Sequence, residues 1–338
     1  MILGMSPVRI SFAGGGTDIP EYYEEFGGNV VVSSISRFIY VIMTPRNDNS
    51  FHAFSSDLET HHKPTNYDVL EPQHGTEIAV SVIKHLGYKE GANILICSDV
   101  PPGSGLGASG ALAVNLVKTI SMLNGDDWDK EKIAETAYHV GRHILNWPIG
   151  KQDEYATAFG GFNFIKFTKE KVTVSPICLN SSSIKELQQN LLLFFVGNTR
   201  NSATILSSQI ERTKQRQQEV IESLHFVKNL AVEMYESLKK SDIATFGELL
   251  HKGWLAKKRF AKSVSNENID KIYESALKQG ALGGKLTGAG GGGHMLLYCE
   301  HSKQSSLIEK MESLGLKHVK FNFNLEGQKV LNLYDFTK

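Results

Sequence analysis

Between Pro101 and Ala111 the chain reads Pro-Pro-Gly-Ser-Gly-Leu-Gly-Ala-Ser-Gly-Ala. A strand-like run, Asn93–Ser98, precedes it, and Leu112, Leu116, Val117 and Ile120 follow at helical spacing. A glycine loop between a strand and a helix exposes the unpaired N–H groups and the positive dipole end of the first helical turn, which together make an anion site with phosphate as the natural guest. Ser109 falls in that turn, where its hydroxyl either caps the helix or reaches a phosphate oxygen or a magnesium ion. Glycine is also clustered at Gly14–Gly16 and Gly283–Gly293. Three in the first cluster, four in Gly103–Gly110 and seven in the last make fourteen of 31. Three clusters ask for one explanation, close approach of backbone to a ligand.

The known phosphate loops differ in fit. Walker A fails, because Gly280-Ala-Leu-Gly-Gly284-Lys285-Leu286 has one spacer too few and no Ser or Thr after the lysine. Gly105-Leu-Gly-Ala-Ser-Gly110 matches the dinucleotide pattern, with Asp126 near the expected distance, so an NAD-binding oxidoreductase stands as an alternative. Against it, Asp126 lies in a Gly-Asp turn before a helix and not at the end of a second strand. No protein-kinase HRD or DFG signature occurs.

The elements that must position these loops are mixed. Val8–Phe12, Val30–Ser34 and Phe38–Thr44 read as strands, Arg46–Gly75 as irregular chain or a short hairpin, and Glu77–Leu86 and Lys130–Leu145 as helices, the latter capped by Asp129. A strand from Gly160 extends through Lys171–Ser175. The serine-rich stretch Leu179–Lys185 suggests a boundary between residues 1–182 and 183–338. Beyond it the pattern gives a strand at Leu191–Val196, helices in Ala203–Lys239 and Ile243–Arg259, a strand at Gly293–Cys299, a helix at Lys303–Leu314 and a strand at His318–Phe323. Two domains suit 338 residues. Basic and acidic residues number 36 each, so no bulk field holds nucleic acid or a membrane surface. The N-terminus does not read as a secretory signal and no apolar run approaches a membrane span, which points to a cytoplasmic enzyme. Cys97, Cys178 and Cys299 lack metal or redox spacing and read as small buried hydrophobes. A homo-oligomer is left open.

Taken in order, Arg9-Ile-Ser-Phe-Ala-Gly-Gly-Gly-Thr-Asp18, the central loop and Lys285-Leu-Thr-Gly-Ala-Gly-Gly-Gly-Gly-His294 resemble the three motifs of the GHMP small-molecule kinases, over nearly the whole chain. Gly150-Lys-Gln-Asp153-Glu-Tyr is similar to the branch of sugar 1-kinases that acts on heptose phosphate and fucose. The resemblance implies an α+β fold, with an N-terminal α/β domain, a C-terminal ferredoxin-like domain and ATP, magnesium and sugar between them. It assigns ATP to Pro102, Gly103, Ser104, Gly105, Leu106, Gly107, Ala108, Ser109 and Gly110, magnesium to Ser109, catalysis to Asp153 and Arg9, and closure of the cleft to the third motif. A carboxylate to receive the proton of an attacking hydroxyl and a cation against the transferred phosphate are the types such chemistry needs. Gly16, Thr17, Asp18, Gly288 and Gly290 are expected at the substrate, with Arg200 as a second anion site. The implied reaction phosphorylates the C1 hydroxyl of a sugar phosphate, D-glycero-D-manno-heptose 7-phosphate, for nucleotide-activated heptose and surface polysaccharide. L-fucose or another hexose is the alternative acceptor, and a weakened sugar-nucleotide binding protein the alternative without turnover. One position departs from the family: Gly141 stands where related sugar kinases carry a magnesium-contacting glutamate, and Glu135, six residues upstream, points to a different face.

Overall fold

A computed structural model describes residues 1–197 and 202–333. Its first sheet is built on one long strand. The two strands expected at 30–34 and 38–44 are a single element, β2 (Gly28–Pro45), which lies antiparallel along the whole of β1 (Ile2–Ala13). Ser33 and Ser34 interrupt the apolar pattern but stay in the ladder, while Ser36 and Arg37 fall in an irregularity of it; the buried Ser34 hydroxyl donates to the Ala156 carbonyl at 2.9 Å. The far half of β2 pairs with β5 (Ala92–Ser98), beyond which Ser50–Ser55 (β3) and Thr60–Asn66 (β4) form a hairpin from the polar 46–75 stretch. Its near half pairs with β6 (Phe162–Phe167), and β7 (Val172–Pro176) folds back on β6 where one longer strand was expected. Pairing shifts by two residues between Pro7 and Arg9, a bulge that re-aims the strand's side chains beside the site.

After the short helix α1 (Pro20–Phe26), four helices cover one face of this sheet: α2 (Glu77–His85), α3 (Ala108–Leu123), α4 (Lys130–His139) and α5 (Gln152–Phe159). Asp129 caps α4, its Oδ1 accepting from the Lys132 N–H at 2.7 Å. The helix expected to continue to Leu145 instead widens into a single π turn, Val140–Ile144.

The serine-rich stretch is the start of a helix, α6 (Ser181–Asn190), with the Asn180 side chain accepting from the Ser183 N–H. The second sheet follows. Its strands β8 (Leu191–Gly197), β9 (Ala281–Leu286), β10 (Gly293–Cys299) and β11 (Lys317–His318) lie antiparallel in the order β11-β8-β10-β9. Every residue of β10 is buried, as its unbroken Met-Leu-Leu-Tyr-Cys run requires of a central strand. The helical stretch 203–239 breaks at left-handed Arg216, with φ of 51°, into α7 (Ser202–Lys214) and α8 (Gln218–Lys239). With α9 (Phe246–Lys257), α10 (Glu267–Lys278) and α11 (Gln304–Ser313) these complete a ferredoxin-like α+β unit; α10 has no counterpart in the sequence reading.

Val8, Ile10 and Phe12 of β1 pack against Leu230, Met234, Phe246 and Leu250 of α8 and α9. Each such side chain contributes roughly 1.5–3 kcal/mol, so the two halves share a hydrophobic core. Of the last expected strand, His318–Phe323, only His318 joins the ladder, as the end of β11, followed by a lone bridge from Phe323 to Ile35. The chain then returns to the first sheet as β12 (Lys329–Asn332), antiparallel to β1. Cys299 is buried as expected, but Cys97 is half-buried and Cys178 exposed, so the buried-hydrophobe reading holds for one cysteine of three. Among the described residues no helix is long and apolar enough to cross a membrane.

Candidate active site

The glycine loop after β5 turns into α3 through Gly107, which acts as N-cap in the left-handed region and offers no capping side chain. The first-turn N–H groups of α3 are therefore left for a ligand. Gly105 and Gly107 both have positive φ, and neither has space for a Cβ: at Gly105 it would meet the Thr287 carbonyl at 2.7 Å, at Gly107 the Arg9 guanidinium and Asp153 Oδ2 at 3.1 Å. A cleft opens over the loop. Gly103, Ser104, Gly105, Gly107, Ala108, Ser109 and Gly110 line it. Leu106 and Pro102 do not. Leu106 is a core residue whose carbonyl accepts from the Arg9 backbone N–H, so it anchors the loop to β1.

Arg9 comes off β1 just past the bulge and is 3% exposed. Its Nε and Nη2 donate to Asp153 Oδ1 and Oδ2 at 2.7 and 2.6 Å, and its Nη1 donates to the Gly105 carbonyl at 2.8 Å. This fork fixes the direction of the carboxylate and ties it to the phosphate loop. Asp153 sits in the first turn of α5. Asp18 organises that turn, accepting from the Gln152 N–H at 3.2 Å and the Gly16 N–H at 2.9 Å. Gly150 is needed here, since a Cβ would lie 2.1 Å from Asp18 Oδ2. Burial, and next the charge of Asp153, push the Asp18 carboxyl above its ordinary value. Thr17 differs from expectation: it is fully buried, its hydroxyl within 2.8 and 3.0 Å of the Gly14 and Asn29 carbonyls, and it braces the first glycine loop away from the cleft wall.

The opposite wall comes from the second half of the chain. Gly288 and Gly290 line the cleft as expected, and this third loop packs backbone to backbone on the second: a Cβ on Gly288 would lie 2.6 Å from Gly105 Cα, and His294 Nδ1 is 2.8 Å from the Ser104 carbonyl. Gly16, Asp18, Ser202, Gln209 and Phe260 join the same cleft. Arg200 lies outside the described residues.

Three wall residues were not foreseen. Lys257, at the end of α9, and Lys285, on β9, are buried lysines, and Glu154 is a 2% exposed carboxylate whose Oε2 has no hydrogen-bond partner. Burial pulls Lys257 down to about 7 and Lys285 well below its usual range, and pushes Glu154 well up, with Asp153 adding to the last. Lys257 was legible in principle, because Leu250, Trp254 and Lys257 follow the i, i+4, i+7 spacing of one buried helix face. Gly141 lies in the π turn on the cleft wall, and Glu135 is engaged by Lys151 Nζ at 2.6 Å and the Tyr155 hydroxyl at 2.5 Å.

Residues 76–161 match the GHMP kinases N terminal domain and residues 234–316 the GHMP kinases C terminal domain. The chain is 32% identical over 330 residues to D-glycero-alpha-D-manno-heptose 7-phosphate kinase of Campylobacter jejuni, covering 96% of this chain and 97% of that one. The chain belongs to the GHMP kinases. A second relative of this GHMP kinase, the L-fucokinase/L-fucose-1-P guanylyltransferase of Bacteroides fragilis, is 26% identical over 92% of the chain and 36% of its own length. Among solved structures, a putative sugar kinase of Campylobacter jejuni superposes with a TM-score of 0.79 at 30% identity, over 98% of both chains. A D-glycero-D-manno-heptose 1-phosphate kinase of Bacteroides thetaiotaomicron superposes with a TM-score of 0.82 at 24% identity, over 98% and 99%. ATP is the phosphoryl donor expected of such a GHMP kinase.

Proposed function

We propose that this GHMP kinase transfers the γ-phosphoryl group of ATP to the C1 hydroxyl of a sugar phosphate, D-glycero-D-manno-heptose 7-phosphate, giving the 1,7-bisphosphate in the cytoplasm. The observation that carries the chemistry is the Arg9–Asp153 fork, a carboxylate and a cation held on the rim of the phosphate loop. The choice of acceptor rests on the near full-length likeness to the heptose 7-phosphate kinase. We place the functional division at residues 1–182 and 183–338.

In this reading the α3 N-terminus and loop Gly103–Gly110 cradle the triphosphate. Asp153 receives the hydrogen of the C1 hydroxyl, whose oxygen bonds to the γ-phosphorus as the bond to the β,γ-bridging oxygen breaks. That oxygen keeps the electron pair and leaves with ADP. Arg9 neutralises charge on the group in flight. Among the described residues no three His, Cys, Asp or Glu side chains gather as a metal cage. That fits an ion carried in on nucleotide phosphates and water, with Ser109, exposed in the first turn of α3, as the hydroxyl that would hold it. Magnesium bound there would supply charge neutralisation at the phosphates. Asp18 and Gly16, with Gly288 and Gly290 opposite, border the acceptor, and Arg200 is assigned to its 7-phosphate.

A panel of free sugars and sugar phosphates with magnesium-ATP, read as ADP release, tests the reading. The heptose phosphate is expected to be the fastest acceptor; faster use of unphosphorylated fucose rejects the choice. Thermal protection by magnesium-ATP and none by NAD is expected in parallel.

A further inference from the structure

Three cations, Arg9, Lys257 and Lys285, come together at one end of the cleft, and only Arg9 has a carboxylate in ion-pair reach among the described residues. The Lys257 ammonium, on a residue 8% exposed, donates to the Gly288 carbonyl and, at 3.4 Å, to the Leu286 carbonyl. Two neutral carbonyls are poor compensation for a buried charge. The structure assigns Lys257 a place in the kinase reaction: we propose that it is a second catalytic cation, supplied by the C-terminal half, that contacts the transferred phosphoryl group opposite Arg9. The proposal rests on the kinase reading above and adds a residue that neither the glycine motifs nor the Arg9–Asp153 fork contains.

Geometry favours the phosphoryl group over the acceptor's own phosphate. Gly288, which holds the ammonium, is packed on Gly105, which holds Arg9, so the two cations reach the same loop from opposite walls. The charges that act on Lys257 are Arg9 and the carboxylates Asp18 and Asp153, from β1, the first glycine loop and α5, while Lys285 of β9 faces it from its own half. Burial first and Arg9 next lower its proton affinity, Asp18 and Asp153 partly restore it, and the net value is about 7. As the oxygen of the acceptor bonds to phosphorus and the bridging oxygen departs with its electron pair, the equatorial oxygens of the phosphoryl group lie between the two cations. The ammonium donates to them and transfers no proton.

Two substitutions test this. Lys257→Met is expected to lower kcat at least 100-fold while the Kd of magnesium-ATP and the KM of the acceptor change less than threefold. In the wild type kcat/KM is expected to fall as pH rises past about 7, because the free enzyme loses the ammonium proton. In Lys257→Arg, which stays charged, that alkaline limb is expected to vanish below pH 9. A raised acceptor KM with unchanged kcat in Lys257→Met, or the same alkaline limb in wild type and Lys257→Arg, overturns the proposal; the second measurement decides even if Lys257→Met does not fold. Binding of magnesium-ADP with aluminium fluoride, a stand-in for the phosphoryl group in flight, separates this from the choice of acceptor. It is expected to weaken at least 30-fold in Lys257→Met with magnesium-ADP alone unaffected. A wild type that binds the fluoride complex but phosphorylates no sugar phosphate would sink the acceptor reading, while the same titration still decides Lys257.

Discussion

Asp153 is the residue on which chemistry and geometry converge, and its replacement should separate binding from turnover. Asp153→Asn keeps the size of the side chain but removes the acceptor for the hydroxyl proton, and it leaves only one arm of the Arg9 fork because the amide nitrogen donates where an oxygen accepted. Turnover is expected to drop about 10²–10⁴-fold, with the ATP Kd from calorimetry within threefold of wild type. Arg200→Ala should raise KM for the heptose phosphate and leave any slow use of unphosphorylated sugar untouched; equal effects on both would remove Arg200 from the 7-phosphate. A third prediction concerns stability. Asp18 and Glu154 both hold their protons more tightly in the folded protein than in the unfolded chain. At these two groups the folded state therefore binds more protons above their ordinary values of 3.8 and 4.5, and their contribution to the stability of the ligand-free enzyme declines as pH rises from there. Glu154→Gln removes one contribution. Its melting temperature should match wild type near pH 4 and exceed it increasingly toward neutrality; a gain independent of pH would refute this.

At the scale of elements, the π turn between α4 and α5 is the part most open to redesign. Gly141 lines the cleft, but a Cβ there would lie 2.6 Å from Ile149 Cδ1, the movable end of a side chain. Gly141→Glu alone should therefore lower the ligand-free melting temperature. Combined with Ile149→Val, which deletes that methyl, it should recover stability and reduce the magnesium concentration for half-maximal activity. Melting curves and magnesium titrations of the single and double variants check both effects, which will not be additive because the two side chains touch. That the glycine loops, Arg9 and Asp153 meet at one cleft was legible because their motifs are local and spelled out in order along the chain. Thr17 was misplaced because a motif fixes a residue's position but not its rotamer. Of the adjacent lysines, Lys258 pairs with Asp270 near the surface while Lys257 turns inward to the third glycine loop, at Gly288, 31 residues on. The unity of β2 was equally hidden, since two of its serines, Ser34 and Ser36, are satisfied by segments remote in sequence, at Ala156 and Asn322.

For the whole molecule, the two halves are joined by more than a cleft. The core shared by β1, α8 and α9 and the stacked second and third glycine loops mean that loosening the interface disturbs the phosphate site directly. The return of β12 to β1 adds a further tie, with Ile2 to Met5 paired to Asn332 to Lys329. A chain stopped after Gln328 leaves the outer edge of β1 unpaired, an invitation to intermolecular strand pairing. It should melt several degrees lower and scatter light on mild heating; unchanged melting and scattering would show that the edge is dispensable. The same strand order also governs how the protein is made. β12 leaves the ribosome more than 300 residues after β1. At about 5–20 residues per second, the strand that carries Arg9 waits roughly 15–60 s with one edge bare. Nascent chains are thus exposed to chaperone capture, or to pairing with a neighbour on the same messenger RNA, throughout that interval.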